Sequence, residues 1–199
     1  KKSAKKSAKK SAASARRRRV AEDPPLEGKP FVKWAGGKRS LLEQMRPYIP
    51  EKFKRYHEPF VGSGALFFHL APRPASLSDT NRRLVRAYRG LRDNTDEVIE
   101  LLSSYAHSRT FFEDMRRVDI DEKDDAEVAA WLIYLNKTGY NGLYRVNSKN
   151  RFNVPFGNYK RPNYCDVPRL RDCAARLQGV DIEARDFATA AKGIKRGDF

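Results

Sequence analysis

Residues 56–70, Y-H-E-P-F-V-G-S-G-A-L-F-F-H-L, hold the chemistry around which the chain is organised. Gly62 and Gly64 stand on either side of Ser63. A turn built this way lets backbone approach a ligand that a Cβ would keep at a distance. Strand-like residues ending in Glu58 and a proline precede it, and Ala65, Leu66, Phe67, Phe68 and Leu70 follow as the buried start of a helix. Strand, tight glycine turn, helix is the layout of the first turn of a nucleotide-binding α/β sheet. Residues 75–79, A-S-L-S-D, then read as a second short strand ending in an acidic residue, Asp79. A carboxylate at that place accepts hydrogen bonds from ribose hydroxyls. It also suits a helix N-cap, because R-R-L-V-R-A-Y follows Asp79-Thr80-Asn81.

Two further stretches have unusual composition. Residues 30–38, P-F-V-K-W-A-G-G-K, put Trp34 and two lysines, Lys33 and Lys38, around a Gly-Gly turn. Residues 136–160, N-K-T-G-Y-N-G-L-Y-R-V-N-S-K-N-R-F-N-V-P-F-G-N-Y-K, interleave aromatic rings with cations and amides. That mixture suits stacking on bases, phosphate contacts and base-edge hydrogen bonds. Within it, 143–146 and 151–154 are expected to pair as a hairpin across 147–150. Metal chemistry is not indicated: Cys165 and Cys173 fit no ligand spacing, and His57, His69 and His107 form no pair with them.

The elements that must position these residues follow from periodicity. Leu41, Leu42 and Met45 predict a helix ending near Pro47. Residues 96–117 have a helical pattern, 126–135 (A-E-V-A-A-W-L-I-Y-L) predict a helix buried on most sides, and 165–177 predict another. Residues 180–184 read as a third strand. Arg185-Asp186-Phe187 follows it, with Asp186 placed to touch a ligand base or to cap a helix starting at Ala188. The run I-K-R-G-D-F reads as the approach to a fourth strand.

Charge divides the chain. The formal net charge is +16, from 41 Lys+Arg against 25 Asp+Glu. Residues 1–19 supply ten of the cations, in a K-K-S-A repeat followed by four arginines. So little apolar side chain cannot offset ordering entropy, so a disordered tail is expected, with 22–25 (E-D-P-P) as hinge. A basic balance favours a polyanionic partner, with nucleic acid the commonest. No apolar run has the length of a membrane span, and the tail lacks the apolar segment of a secretory signal.

Taken together, F-V-K-W-A-G-G-K, E-P-F-V-G-S-G-A, S-D-T-N and Y-N-G-L-Y-R…F-N-V-P-F-G-N-Y-K resemble the Dam-type DNA adenine-N6 methyltransferases. The resemblance covers residues 30–199. It implies an α/β fold: a Rossmann-like methyltransferase sheet with an inserted helical and β-hairpin target-recognition domain. The expected division is a basic tail and hinge at 1–28, a cofactor-binding core at 29–89 and 165–199, and a recognition insert at 90–164. The implied cofactor is S-adenosylmethionine, at Trp34, Lys38, Glu58, Phe60, Gly62, Gly64, Asp79, Asp186 and Phe187. The implied partner is duplex DNA, usually at GATC, touched by Lys33, Tyr140, Asn141, Leu143, Arg145, Pro155, Asn158, Tyr159 and Lys160. Arg145 would read a guanine and Tyr140 would stack beside a displaced base. The enzymes of this family act without a metal, and a cytoplasmic, nucleoid-associated place is expected.

One departure matters. The family's catalytic D-P-P-Y is absent, and in the family's order it would begin a few residues after Phe199. Asp23-Pro24-Pro25-Leu26 lacks the tyrosine and precedes the sheet. The expectation is therefore a methyltransferase whose chain, as given, lacks its catalytic groups. The alternatives are a non-catalytic basic DNA-binding protein and one half of a split enzyme.

Overall fold

The computed structural model describes residues 28–199. The tail and the hinge at 22–25, with its D-P-P-L, lie outside the described residues.

Three short strands form a parallel sheet in the order β1 (Tyr56–Glu58), β2 (Ala75–Asp79), β3 (Asp181–Ala184). Tyr56 lies opposite Ala75 and Glu58 opposite Leu77, and Ser76 lies opposite Asp181 and Asp79 opposite Ala184. Side chains alternate across a strand. Tyr56, Ala75, Leu77 and Ile182 accordingly enter the apolar core, while His57, Ser76 and Asp181 share a cavity on the other face. The acidic ends of β1 and β2, Glu58 and Asp79, come to the same edge of the sheet.

Both outer strands have further partners. On β3, Arg89 donates from Nε and Nη2 to the Ile182 carbonyl at 2.8 and 2.6 Å, and Arg92 Nη1 donates to the Val180 carbonyl at 2.8 Å. Beside β1, the Phe199 N–H donates to the Arg55 carbonyl at 2.9 Å, and the Phe199 carbonyl accepts from the His57 N–H at 2.8 Å. That alternation is the parallel ladder pattern, so the I-K-R-G-D-F run does reach a fourth position in the sheet.

The helices are α1 (Leu42–Met45), α2 (Ala65–Leu70), α3 (Arg82–Asp93), α4 (Thr95–Ser104), α5 (Arg109–Arg117), α6 (Asp125–Thr138), α7 (Val167–Leu177) and α8 (Phe187–Ala191). The helical pattern at 96–117 is interrupted between α4 and α5, where Ser108 caps a new helix by accepting from the Phe111 N–H. Helix α6 is the spine of the core. Its side chains from Ala126 to Asn136 are buried except Glu127, which completes a capping box with Asp124. Helix α3 crosses it so closely that a Cβ on Gly90 would stand 1.9 Å from the Asp125 carbonyl oxygen. Because α3 packs on β3, α6 and α7 alike, the division expected between 89 and 90 falls inside one continuous helix. The expected hairpin is present as isolated antiparallel bridges, Val146 with Phe152 and Gly139 with Phe156, closed by a turn at 147–150.

Candidate cofactor and nucleic-acid site

Glu58 is buried at the end of β1 with donors on both oxygens. Lys38 Nζ reaches Oε1 at 3.0 Å, and the Tyr56 hydroxyl donates to Oε2 at 2.8 Å. Lys38 also donates to the Phe60 carbonyl at 2.8 Å. Burial, then the adjacent Glu58 charge, pushes the Tyr56 hydroxyl well above its ordinary range, so it remains a donor. The lysine of the Gly-Gly turn and the carboxylate of the first strand are thereby one unit.

The glycine turn follows. Gly62 and Gly64 have φ of 49° and 68°, the left-handed region glycine adopts without strain. Their lack of side chain also serves the protein itself. A Cβ on Gly62 would lie 2.9 Å from Trp34 Cδ1, and one on Gly64 would lie 2.6 Å from the Tyr88 hydroxyl. Tyr88, fully buried, donates from that hydroxyl to the Gly62 carbonyl at 3.0 Å. The Gly62 N–H donates to Asp79 Oδ2 at 3.2 Å, and Asp79 Oδ1 accepts from the Asn81 N–H at 3.0 Å. Asp79 therefore ties the second strand to the turn. The helix cap offered as its other role belongs to Asn81, whose Oδ1 accepts from the Leu84 N–H at 3.2 Å. Each carboxylate oxygen of Asp79 keeps a second lone pair for an incoming hydroxyl.

Two rings close this side. Phe60 and Phe187, 61% and 56% exposed, stack at 5.6 Å between centroids and 29° between planes. Asp186 caps α8, accepting from the Thr189 N–H at 3.0 Å and its hydroxyl at 2.8 Å, and these bonds hold its carboxyl below the usual range. A flat ring system with a ribose diol fits such a set: exposed aromatic faces, a carboxylate with spare acceptors and a turn without side chains.

The residues expected to touch DNA gather around 33 and 139–160. Trp34 stacks on Tyr144 at 5.5 Å and 20°, joining the first motif to the hairpin. Lys33 is exposed, with Nζ 5.2 Å from the Tyr159 ring centroid. Tyr140, Asn141, Pro155, Asn158 and Lys160 are exposed, and Leu143 and Tyr159 are half-buried. The Tyr140 N–H donates to the Pro155 carbonyl at 2.9 Å, and Asn141 has a left-handed φ of 52°. Arg145 is exposed but already engaged: Nε donates to Asn153 Oδ1 at 2.8 Å and Nη2 to the Asn153 carbonyl at 3.1 Å. Its Nη1 makes no hydrogen bond among the described residues.

Sequence reasoning missed Asn136 and Tyr88. Asn136 is fully buried near the end of α6. Its Oδ1 accepts from the Lys33 N–H at 2.8 Å, and its Nδ2 donates to the Lys33 and Gly142 carbonyls at 2.9 and 2.7 Å. The available signal was a polar residue closing an apolar helical run. Among the described residues, no group of His, Cys, Asp and Glu is arranged to hold a metal, and no helix is long and apolar enough to cross a membrane.

The chain is similar in sequence to known proteins. The chain is 42% identical over 179 residues to the Type II methyltransferase M1.LlaDCHI of Lactococcus lactis subsp. cremoris, covering 86% of this chain and 63% of that protein. It is 37% identical over 195 residues to the Type II methyltransferase M.MjaIII of Methanocaldococcus jannaschii, covering 87% and 68%. It is 36% identical over 169 residues to a DNA adenine methylase of Haemophilus influenzae, covering 82% and 59%. The chain thus spans roughly three fifths to two thirds of the length of these relatives. Residues 34–199, from the tryptophan beside the glycine turn to the strand at the β1 edge, match the D12 class N6 adenine-specific DNA methyltransferases, and the chain belongs to that family.

Proposed function

We propose that this chain binds S-adenosylmethionine and duplex DNA as part of an enzyme that methylates adenine N6, with GATC as the target. The observation that carries this reading is the Asn136 amide. It fixes the backbone of Lys33, next to Trp34 and the cofactor turn, and the carbonyl of Gly142, inside the recognition loop. The residues assigned to cofactor and those assigned to DNA are therefore held at fixed distance, as transfer between two bound molecules requires.

When bound, S-adenosylmethionine supplies a methyl group on a positively charged sulfur. The chain's own residues bind and orient. Asp79 accepts from the ribose diol, Phe60 and Phe187 offer faces to the adenine ring, and the Gly62–Gly64 backbone leaves room for the methionine end. Lys38 and Glu58 brace the end of β1 beneath them. On the DNA side, Tyr140 stacks beside the displaced base and Arg145 donates to a guanine. The groups that hold the adenine amino nitrogen in this family, D-P-P-Y, do not occur in residues 1–199, so the proposal for these residues ends at binding and orientation.

Calorimetry with S-adenosylmethionine, followed by titration of a GATC duplex and a scrambled duplex, tests this. Saturable cofactor binding and a preference of tenfold or more for GATC are expected. Salt-sensitive binding to both duplexes alike, without cofactor binding, would instead establish a basic DNA-binding protein. Methyl transfer appearing only on mixing with a second polypeptide carrying D-P-P-Y would establish a split enzyme.

A further inference from the structure

One side chain of the recognition hairpin reaches back to the cofactor motifs. Tyr144 stands in the first arm of the hairpin, immediately before Arg145. It is half-buried while Arg145 is exposed, as alternation along an extended arm requires. Its ring packs on Trp34, at 5.5 Å and 20°, and edge-on against Phe152 of the second arm, at 5.8 Å and 68°. Trp34 in turn lies against the glycine turn, where a Cβ on Gly62 would stand 2.9 Å from its Cδ1. The two arms are joined near Tyr144 by an isolated bridge, Val146 with Phe152, so the direction of the first arm depends on where the Tyr144 ring docks.

Beyond the ring, Tyr144 lines a cavity of about 600 Å³ together with Asn81, Arg83 and Asp121. Burial raises its hydroxyl above the ordinary range and outweighs Arg83 and Asn81, which bond to the hydroxyl and favour its ionised form. Arg83 is fixed by Asp121 at 2.7 and 2.6 Å. The Asn81 N–H donates to Asp79, the carboxylate assigned to the ribose, at 3.0 Å. Tyr144 therefore meets the proposed cofactor site twice, through Trp34 and through Asn81. The ties made by Asn136 run to backbone instead, at Lys33 and Gly142.

We propose that Tyr144 is a positioning residue, through which an occupied cofactor turn orients Arg145 for the guanine it reads. The inference rests on the cofactor and DNA assignments above and adds the link between them. With Trp34 and Asp79 engaged by the cofactor, the two surfaces on which Tyr144 docks are held still, and the docked ring aims the next side chain outward. Coupling of this kind is reciprocal, so the duplex raises cofactor affinity by the same factor.

The experiment is duplex titration of the full chain with and without saturating S-adenosylmethionine, for wild type, Tyr144→Leu, Tyr144→Met and Tyr144→Phe, on GATC and scrambled duplexes. For wild type, GATC affinity should rise about tenfold when the cofactor is present, and scrambled-duplex affinity by less than about twofold. Tyr144→Leu and Tyr144→Met keep an apolar contact for Phe152 but remove the stack. Each should bring the GATC ratio below about threefold, with cofactor affinity in the absence of DNA within about threefold of wild type. Tyr144→Phe keeps the ring on Trp34 and should retain the wild-type ratio within about twofold. Calorimetry of S-adenosylmethionine on the duplex-bound protein should return the same ratios. A merely structural tyrosine would weaken binding without moving the ratio. That result in the Leu or Met variant overturns the inference and leaves the cofactor and DNA reading intact. A wild type that binds both molecules without coupling does the same. A wild type that fails to bind either one overturns both.

Discussion

A buried carboxylate at a strand end needs donors, and Glu58 finds them in Lys38 and Tyr56. The turn above it is held by Tyr88 and Asp79. The two braces have different expected consequences. Tyr88→Phe removes the donor to the Gly62 carbonyl without changing shape and should cost about 1–3 kcal/mol, read as a lower midpoint in urea. Asp79→Ala should weaken S-adenosylmethionine binding about 10–100-fold by calorimetry, the worth of a hydrogen bond to a charged group, with duplex affinity within threefold. Equal loss of both affinities would mean that the turn had collapsed instead. Asp79 was legible in the sequence, because an acidic residue closing a strand shortly after G-x-G is a local pattern. Tyr88 was not, since its partner lies 26 residues away and nothing in R-A-Y-R distinguishes a tyrosine that braces a turn from one that fills a core.

Helix α6 ties the two halves of the site, through an amide that reads in sequence as a polar residue ending an apolar run. Asn136→Ala should cost about 3 kcal/mol, since three buried bonds are lost and two carbonyls are left without donors. It should lower cofactor and DNA affinity together, measured by calorimetry, whereas Asp79→Ala lowers one. A second tie joins α3 to the turn before α6: Arg83 donates from Nε and Nη2 to Asp121 at 2.7 and 2.6 Å. The Arg83 guanidinium holds the Asp121 carboxyl below the usual carboxylate range. The stability it contributes is therefore complete above about pH 4, the ordinary value, and is lost as pH falls through the lowered one. Asp121→Asn should cost about 0.5–1 kcal/mol at pH 7, since the carboxylate is about half exposed. Chemical denaturation followed from pH 7 to pH 2.5 should show that difference vanishing. Apolar periodicity located α6, α7 and the three strands to within a few residues. It missed the break between α4 and α5, where Ser108 takes the Phe111 N–H and so lets the chain change direction.

Across the whole molecule, charge is distributed unevenly, and under the proposed function its effect is on duplex binding. Residues 1–19 carry ten of the 41 cations. Replacing those ten with glutamine should flatten the salt dependence of duplex binding by several units of slope, while any preference for GATC, set by contacts in the folded body, should remain. Competition between matched and scrambled duplexes at several salt concentrations checks both. The sequence made this asymmetry plain, but it did not show where the sheet is exposed, because the partners of a strand edge are not its neighbours in sequence. The two arginines on the outer carbonyls of β3 have a consequence for polymerisation. A sheet grows from molecule to molecule only where one free edge offers carbonyls and amides to the next. With Ile182 and Val180 already accepting from Arg89 and Arg92, that edge offers a neighbouring chain few acceptors. For copies of this protein at high concentration, that edge is a poor template for the repeating contact from which fibres are built.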